Sequence, residues 1–398
     1  MATKAYIVNT GIITAIGNNS DECKQALIEG KSGIGYADHL ATHWQKEIPV
    51  GEVKKTNEEL AEIVGVSKEW PRTALLSAIA VQEAWGPYQE KSDGLRVGFY
   101  SANTVGGMDL TEGVYDAFKQ DANSVDCNKI INHECGAITE LVATHFNIND
   151  FVTTISTACS SSANSIMMAA QMIEAGMLDV AIAGGADGLS KFTLNGFNTL
   201  MILDREECQP FDNNRRGLNL GEGAGYVVLM SEKALKHFDA EGQCFVSGFA
   251  NANDAFHQTA SSPDGIGNQL AMTNALKRAG LKPEDIDYIN LHGTGTANND
   301  SAEGMAIEKV FKGMIPLASS TKAYTGHTLG AAGGVEAVFS VMSIKEGIVY
   351  PNMRWKTQME DVTWKPVTEL MTGQNINNVL SNSFGFGGNC SSLILSKC

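Results

Sequence analysis

Thr157–Gly176 reads TACSSSANSIMMAAQMIEAG, and Thr328–Gly347 reads TLGAAGGVEAVFSVMSIKEG. The two stretches align without a gap. Each is a threonine, a turn of small residues, an apolar helix and a closing glycine. A second pair follows in the same order. Leu220–Ser231 is LGEGAGYVVLMS and Phe384–Ser396 is FGFGGNCSSLILS, each a glycine-rich turn running into an apolar strand. Their shared order predicts two related halves, residues 1–240 and 241–398, joined where Phe238–Gln243 reads as a linker. A duplication of this kind sets the two threonine turns near each other at the centre of the molecule.

Short β-rich runs surround these segments: Ala5–Val8, Val97–Ser101, Val152–Ser156, Val180–Ala183, Tyr226–Leu229, Phe245–Phe249, Ile286–Leu291, Val379–Ser381 and Leu393–Leu395. Helical patterns fall between them, at Arg72–Trp85, Ser161–Glu174, Asn268–Ala279, Ser301–Phe311 and Ala331–Lys345. Alternation of strands and helices predicts an α/β layered fold. Continuous apolar strands predict a sheet covered on both faces.

The chain has 398 residues, 43% of them hydrophobic, enough to build a large core. The N-terminal stretch lacks a basic region followed by an apolar run and cleavage site, so no signal peptide is expected. No apolar run reaches the length of a bilayer span. Eight scattered cysteines without a C-x-x-C pair predict free thiols and a cytoplasmic protein. The formal net charge of −16 excludes free nucleic acid as a natural partner. An acidic protein partner would need a local basic patch to overcome that field.

Cys159 lies between a predicted strand and a predicted helix. A helix N-terminus favours a thiolate, small neighbours admit a substrate, and the residue's own N–H can face an oxyanion. His292 leaves the strand Ile286–Leu291 and opens His292-Gly293-Thr294-Gly295-Thr296, at a sheet end where α/β sites form. Thr294 and Thr296 offer hydroxyls to a polar linker arm. His327 follows Lys322 in STKAYTGHTLGAAGG, a run of small residues that permits close packing around one imidazole and one ammonium. A buried Lys322 needs a carboxylate, and Glu303 is a candidate. Cys159, His292 and His327 suit zinc in kind, but none has metal-ligand spacing, so no metal site is expected. Asn382–Asn389, NSFGFGGN, makes a mobile glycine turn carrying the plugs Phe384 and Phe386. It lacks the Lys-Ser/Thr of a phosphate-binding loop.

Together TACSSS, HGTGT, STKAYTGHTLGAAGG and NSFGFGG, with the opening TGIITAIGN, span essentially the whole chain. The set resembles the elongating β-ketoacyl-acyl-carrier-protein synthases of the thiolase fold. That resemblance implies a five-layered αβαβα sandwich of two related halves and an acyltransferase that condenses acyl and malonyl units. It implies Cys159 as the acyl-accepting nucleophile, and His292 and His327 as the pair that handles malonyl decarboxylation. It further implies Lys322 as a buried lysine with Glu303 its nearby carboxylate, and Phe384 as the gate whose N–H joins that of Cys159 in an oxyanion hole. Thr294 and Thr296 would hold a phosphopantetheine arm, with Asp254, His257 and Thr259 near it. Val105 and Phe386 would line the substrate pocket. The implied partners are acyl carrier protein and malonyl-acyl carrier protein, in a homodimer or heterodimer, with no dissociable cofactor. Lys68 and Arg72 are candidates for the carrier patch.

TACSSS is closer to polyketide-type members than to the ACATG form, and Gly388-Asn389-Cys390 stands where Gly-Thr-Asn is usual. These departures bear on the acyl substrate. Two rival readings remain at this level. One is a thiolase acting on coenzyme A esters, with Cys390 as second thiol. The other is a non-catalytic partner resembling a chain-length factor, which the presence of Cys159 opposes.

Overall fold

β-branched and small apolar residues form ten strands in the computed structural model, which describes residues 3–398. They are β1 Tyr6–Thr14, β2 Val97–Ala102, β3 Phe151–Ile155, β4 Val180–Asp187, β5 Gly223–Met230, β6 Cys244–Asn253, β7 Tyr288–Asn290, β8 Leu317–Ser319, β9 Asn378–Gly385 and β10 Asn389–Lys397. Their order is β3-β2-β4-β5-β1-β6-β10-β9-β7-β8. The order repeats. In the first half β5 runs antiparallel to β1 and β4, and β2 runs parallel to β4 and β3. In the second half β10 runs antiparallel to β6 and β9, and β7 runs parallel to β9 and β8. Tyr6 opposite Phe245 and Ile7 opposite Cys244 join the two sets.

Three apolar clusters define the layers. Helix Arg72–Gln89 covers the outer face of the first set, together with Val97, Phe99 and Val228. Helices Ile266–Ala279 and Ala297–Phe311 cover the outer face of the second. Between the sets lie helices Ser161–Glu174 and Ala332–Glu346, sharing one core with strands of both halves. Every residue from Ala332 to Ile344 is buried. A helix apolar all round fits only a position covered on every side. The result is a five-layered αβαβα thiolase fold of two related halves.

The central helices meet at their N-termini. Gly334 N–H donates to Ser162 Oγ at 2.8 Å. A Cβ at Gly225 would lie 2.5 Å from Val335 N, so glycine there lets the Ala332–Glu346 helix rest directly on β5. The repeat extends to single dihedrals. Ala158 and Leu329 occupy equivalent places after their threonines, and both are left-handed, at φ +52° and +53°.

Differences from the sequence reading are local. Strand β8 was not predicted, since only three residues, preceded by a proline, carry it. Helix Met108–Gln120 was also missed, and it buries none of its residues. No described helix is long and apolar enough to cross a membrane.

Candidate active site

The nucleophile turn is built before the helix rather than in it. Helix Ser161–Glu174 begins after its cap residue Ser160, which places Cys159 one residue outside. The left-handed Ala158 turns the chain back on itself. Ser161 Oγ holds the turn closed, accepting from Thr157 N–H at 2.8 Å and donating to Ala158 C=O at 2.6 Å. A Cβ at Gly385 would lie 3.1 Å from Cys159 N and 3.2 Å from Thr157 O, so glycine lets the C-terminal loop close over the turn.

A ring nitrogen of His292, a ring nitrogen of His327 and the Cys159 sulfur lie within 4.8 Å of one another, and all three residues are buried. The rings cross at 86° with centroids 5.4 Å apart. Cys159 comes from the first half and both histidines from the second.

The neighbours fix each tautomer. Leu329 N–H donates to His327 Nδ1 at 3.2 Å. Lys322 Nζ lies 3.3 Å from His292 Nδ1 and pairs with Glu336. An ammonium has only donors, so His292 Nδ1 accepts. Both rings therefore carry their proton on Nε2, leaving two N–H donors for a substrate. Burial, reinforced by Lys322, holds both imidazoles well below their usual range. They are neutral at pH 7. Burial pushes the Cys159 thiol up to about 11, while the nearby Phe386 N–H and Lys322 pull it down.

These groups line a cavity of about 310 Å3 with Thr294, Thr296, Thr259, Phe384 and Phe386. The Thr294 and Thr296 hydroxyls are 2.9 Å apart. Phe197, Ile202 and Leu218 form its apolar side, and Arg216 and Asn298 stand at the exposed part. The Phe386 ring stacks on Phe197 at 5.8 Å and 18°.

Several expected placements are corrected. Lys322 pairs with Glu336, not Glu303. The Glu303 carboxylate instead accepts from the His292 and Gly293 N–H groups at 2.9 and 2.8 Å, and from Asn382 Nδ2 at 3.1 Å. It holds the HGTGT turn. Where the Phe384 N–H was expected to serve the oxyanion hole, the loop N–H that acts on the Cys159 thiol is that of Phe386. Asp254 is buried behind the loop, accepting from Ser262, while His257 is exposed and accepts from Thr259 N–H; neither lines the cavity. Val105 does not line it either; it packs in an apolar cluster with Leu329, Leu218, Phe197 and Ile202. Arg72 is buried and forks onto Glu222 at 2.7 and 2.8 Å, so it cannot serve a surface patch. Lys68 is exposed, 3.7 Å from Glu58.

Glu336, Phe197 and Phe386 N–H were missed by sequence reasoning. For Glu336 a signal existed: it is the one charged residue in the run Ala331–Ile344. Cys390 is buried with its sulfur 3.2 Å from Asn268 Oδ1, away from the cavity, which removes the second thiol of a thiolase. The cluster of Cys159, His292 and His327 has the donor types of a zinc site, but an ammonium 3.3 Å from one ring opposes a divalent cation there.

Residues 3–234 match the family model described as beta-ketoacyl synthase, N-terminal domain, and residues 243–356 match the beta-ketoacyl synthase C-terminal domain. A 3-oxoacyl-[acyl-carrier-protein] synthase 2 from Coxiella burnetii is 32% identical, covering 99% of this chain and 98% of its own. Nodulation protein E from Rhizobium meliloti is 31% identical, covering 98% of each. The solved structure described as the ishigamide ketosynthase/chain length factor superposes with a TM-score of 0.94 at 26% identity, covering 100% of both chains.

Proposed function

The chain belongs to the beta-ketoacyl synthase family, and on that premise we propose that it condenses an acyl group held on Cys159 with malonyl-acyl carrier protein, extending a fatty-acid, polyketide or polyene chain by two carbons. The observation that carries this reading is one sulfur and two neutral imidazoles gathered within 4.8 Å on one cavity.

Cys159 sulfur attacks the thioester of an acyl-carrier. The new S–C bond forms as the carrier's S–C bond breaks, and the Cys159 proton leaves with the carrier thiol. Malonyl-carrier then enters along Thr294 and Thr296. Its thioester oxygen faces the Nε2–H groups of His292 and His327. As the bond to the carboxylate breaks, its electron pair moves onto the α-carbon and that oxygen, and carbon dioxide leaves. The enolate carbon attacks the Cys159 thioester. The N–H groups of Cys159 and Phe386 hold the tetrahedral oxyanion until Cys159 sulfur is expelled. Phosphopantetheine arrives on the carrier, so this scheme uses no dissociable cofactor. We further propose a dimer, homomeric or with a related chain, assembled on β3. That strand pairs only with β2 among the described residues and is half-buried along its length. Carrier-bound substrates suit a cytoplasmic setting.

Replacing the nucleophile separates the steps. Cys159→Ala loses the acyl adduct and all condensation. Cys159→Gln places a carbonyl where the acyl thioester sits and still releases carbon dioxide from malonyl-carrier. An acyl adduct on a different residue in wild-type protein would overturn the assignment.

A further inference from the structure

We propose that Asp187 is a positioning residue that ties the Thr104–Val105 loop to the turn that sets the tautomer of His327. The proposal rests on the condensation reading for its kinetic consequences, but its geometry stands alone.

Asp187 ends β4 and is fully buried. Its carboxylate receives four donors from two separate loops. Oδ1 accepts from Thr104 N–H at 2.9 Å and Val105 N–H at 3.0 Å. Oδ2 accepts from Thr104 Oγ1–H at 2.7 Å and Gly330 N–H at 2.7 Å. Gly330 directly follows Leu329, whose N–H holds His327 Nδ1. The Leu329 side chain packs in the cluster that contains Val105 and Phe197, and Phe197 also lines the cavity.

One carboxylate therefore joins the Thr104–Val105 loop, which packs behind Phe197, to the left-handed turn beside the imidazole. In the duplicated fold Gly330 is the counterpart of Cys159. The backbone N–H that one half keeps at its nucleophile is used in the other half to grip an internal anion. Nothing in the condensation steps touches Asp187. Its effect passes through the orientation of His327 and the placement of that loop.

An amide cannot replace this group. Asparagine offers one acceptor oxygen, and its NH2 must face either two backbone N–H groups or Gly330 N–H. The second is the milder conflict, since the Thr104 hydroxyl can reverse and accept. Gly330 then loses its partner and the Leu329 turn is released.

The test is 15N NMR of histidine-labelled full-length protein, with kinetics alongside. In Asp187→Asn the His327 signals move away from those of a ring protonated on Nε2. Decarboxylation of malonyl-carrier falls about tenfold or more in kcat with KM held, while acylation of Cys159 stays within about twofold. If Asp187→Asn does not fold, Gly330→Ala reads the same contact. Its Cβ would lie 2.8 Å from Asp187 Oδ2 and 3.0 Å from Thr104 Cγ2, and it gives the same spectral change. Thr104→Val keeps the Gly330 contact and leaves the His327 signals in place. Unchanged His327 signals in the variants that break the contact, or equal loss of acylation and decarboxylation, overturn the proposal. The spectra need no substrate, so they judge Asp187 even where wild-type protein fails to decarboxylate and the condensation reading itself falls.

Discussion

Cys159 is a buried thiol with opposing influences. Burial raises it to about 11, and the Phe386 N–H, Lys322 and its own N–H draw it back. Since the thiolate is the reactive form, alkylation of Cys159 by iodoacetamide rises about tenfold per pH unit from pH 7 to 9. Peptide mass spectrometry separates it from the exposed Cys127 and Cys398; a rate already flat at pH 7 contradicts the assignment. Glu336→Gln leaves Lys322 without its carboxylate in a buried place. Breaking such a pair costs about 3–5 kcal/mol, read by urea unfolding; a loss below about 1 kcal/mol contradicts the pairing. Chelators leave condensation unchanged, because the Lys322 ammonium beside His292 opposes a divalent cation at the cluster; loss of activity on chelation contradicts this. Cys159 and both histidines were legible because their small-residue settings are unusual. The partner of Lys322 was not. Glu336 lies only 14 residues further on, but it reaches Lys322 only because the turn between them folds back onto the start of the next helix, whereas Glu303 stood out by its nearness to His292.

At the scale of elements, close approach governs the centre. Gly225→Ala sets a Cβ 2.5 Å from Val335 N and pushes the Ala332–Glu346 helix off β5. Overpacking of this kind costs about 1–3 kcal/mol, visible as a lowered Tm. A Tm equal to wild type would show that the helix has room to move. Apolar length and repeat made both central helices readable, and Ser161–Glu174 has the predicted bounds. The glycine loop was readable as a turn with two phenylalanine plugs. Which of its N–H groups acts on the thiol was not, because that depends on how the loop packs against the nucleophile turn. Helix Met108–Gln120 escaped because it buries no side chain, and periodicity reports burial.

For the molecule as a whole, duplication brings the chemistry together: the sulfur from one half meets two imidazoles from the other. That arrangement has a pH signature. Both histidines are neutral when folded and titrate at their ordinary value when unfolded. The unfolded chain thus binds more protons below pH 6.5, and this contribution lowers stability as pH falls, by about 1.4 kcal/mol per pH unit for each histidine. Glu303 and Glu336, raised to about 7 by burial, act in the opposite sense. The histidine share is therefore read as a difference between wild type and His327→Asn across pH 5.5–7.5. The loss on acidification is smaller in the variant; parallel curves contradict it. The most direct test of the whole account follows mass and label through one turnover. Acyl-carrier is mixed with the protein, and malonyl-carrier labelled in its free carboxyl is then added. The account predicts an acyl adduct on Cys159 that disappears as a carrier-bound β-ketoacyl chain two carbons longer forms and all label leaves as carbon dioxide. Label retained in the product, or a chain extended without any adduct on Cys159, contradicts it.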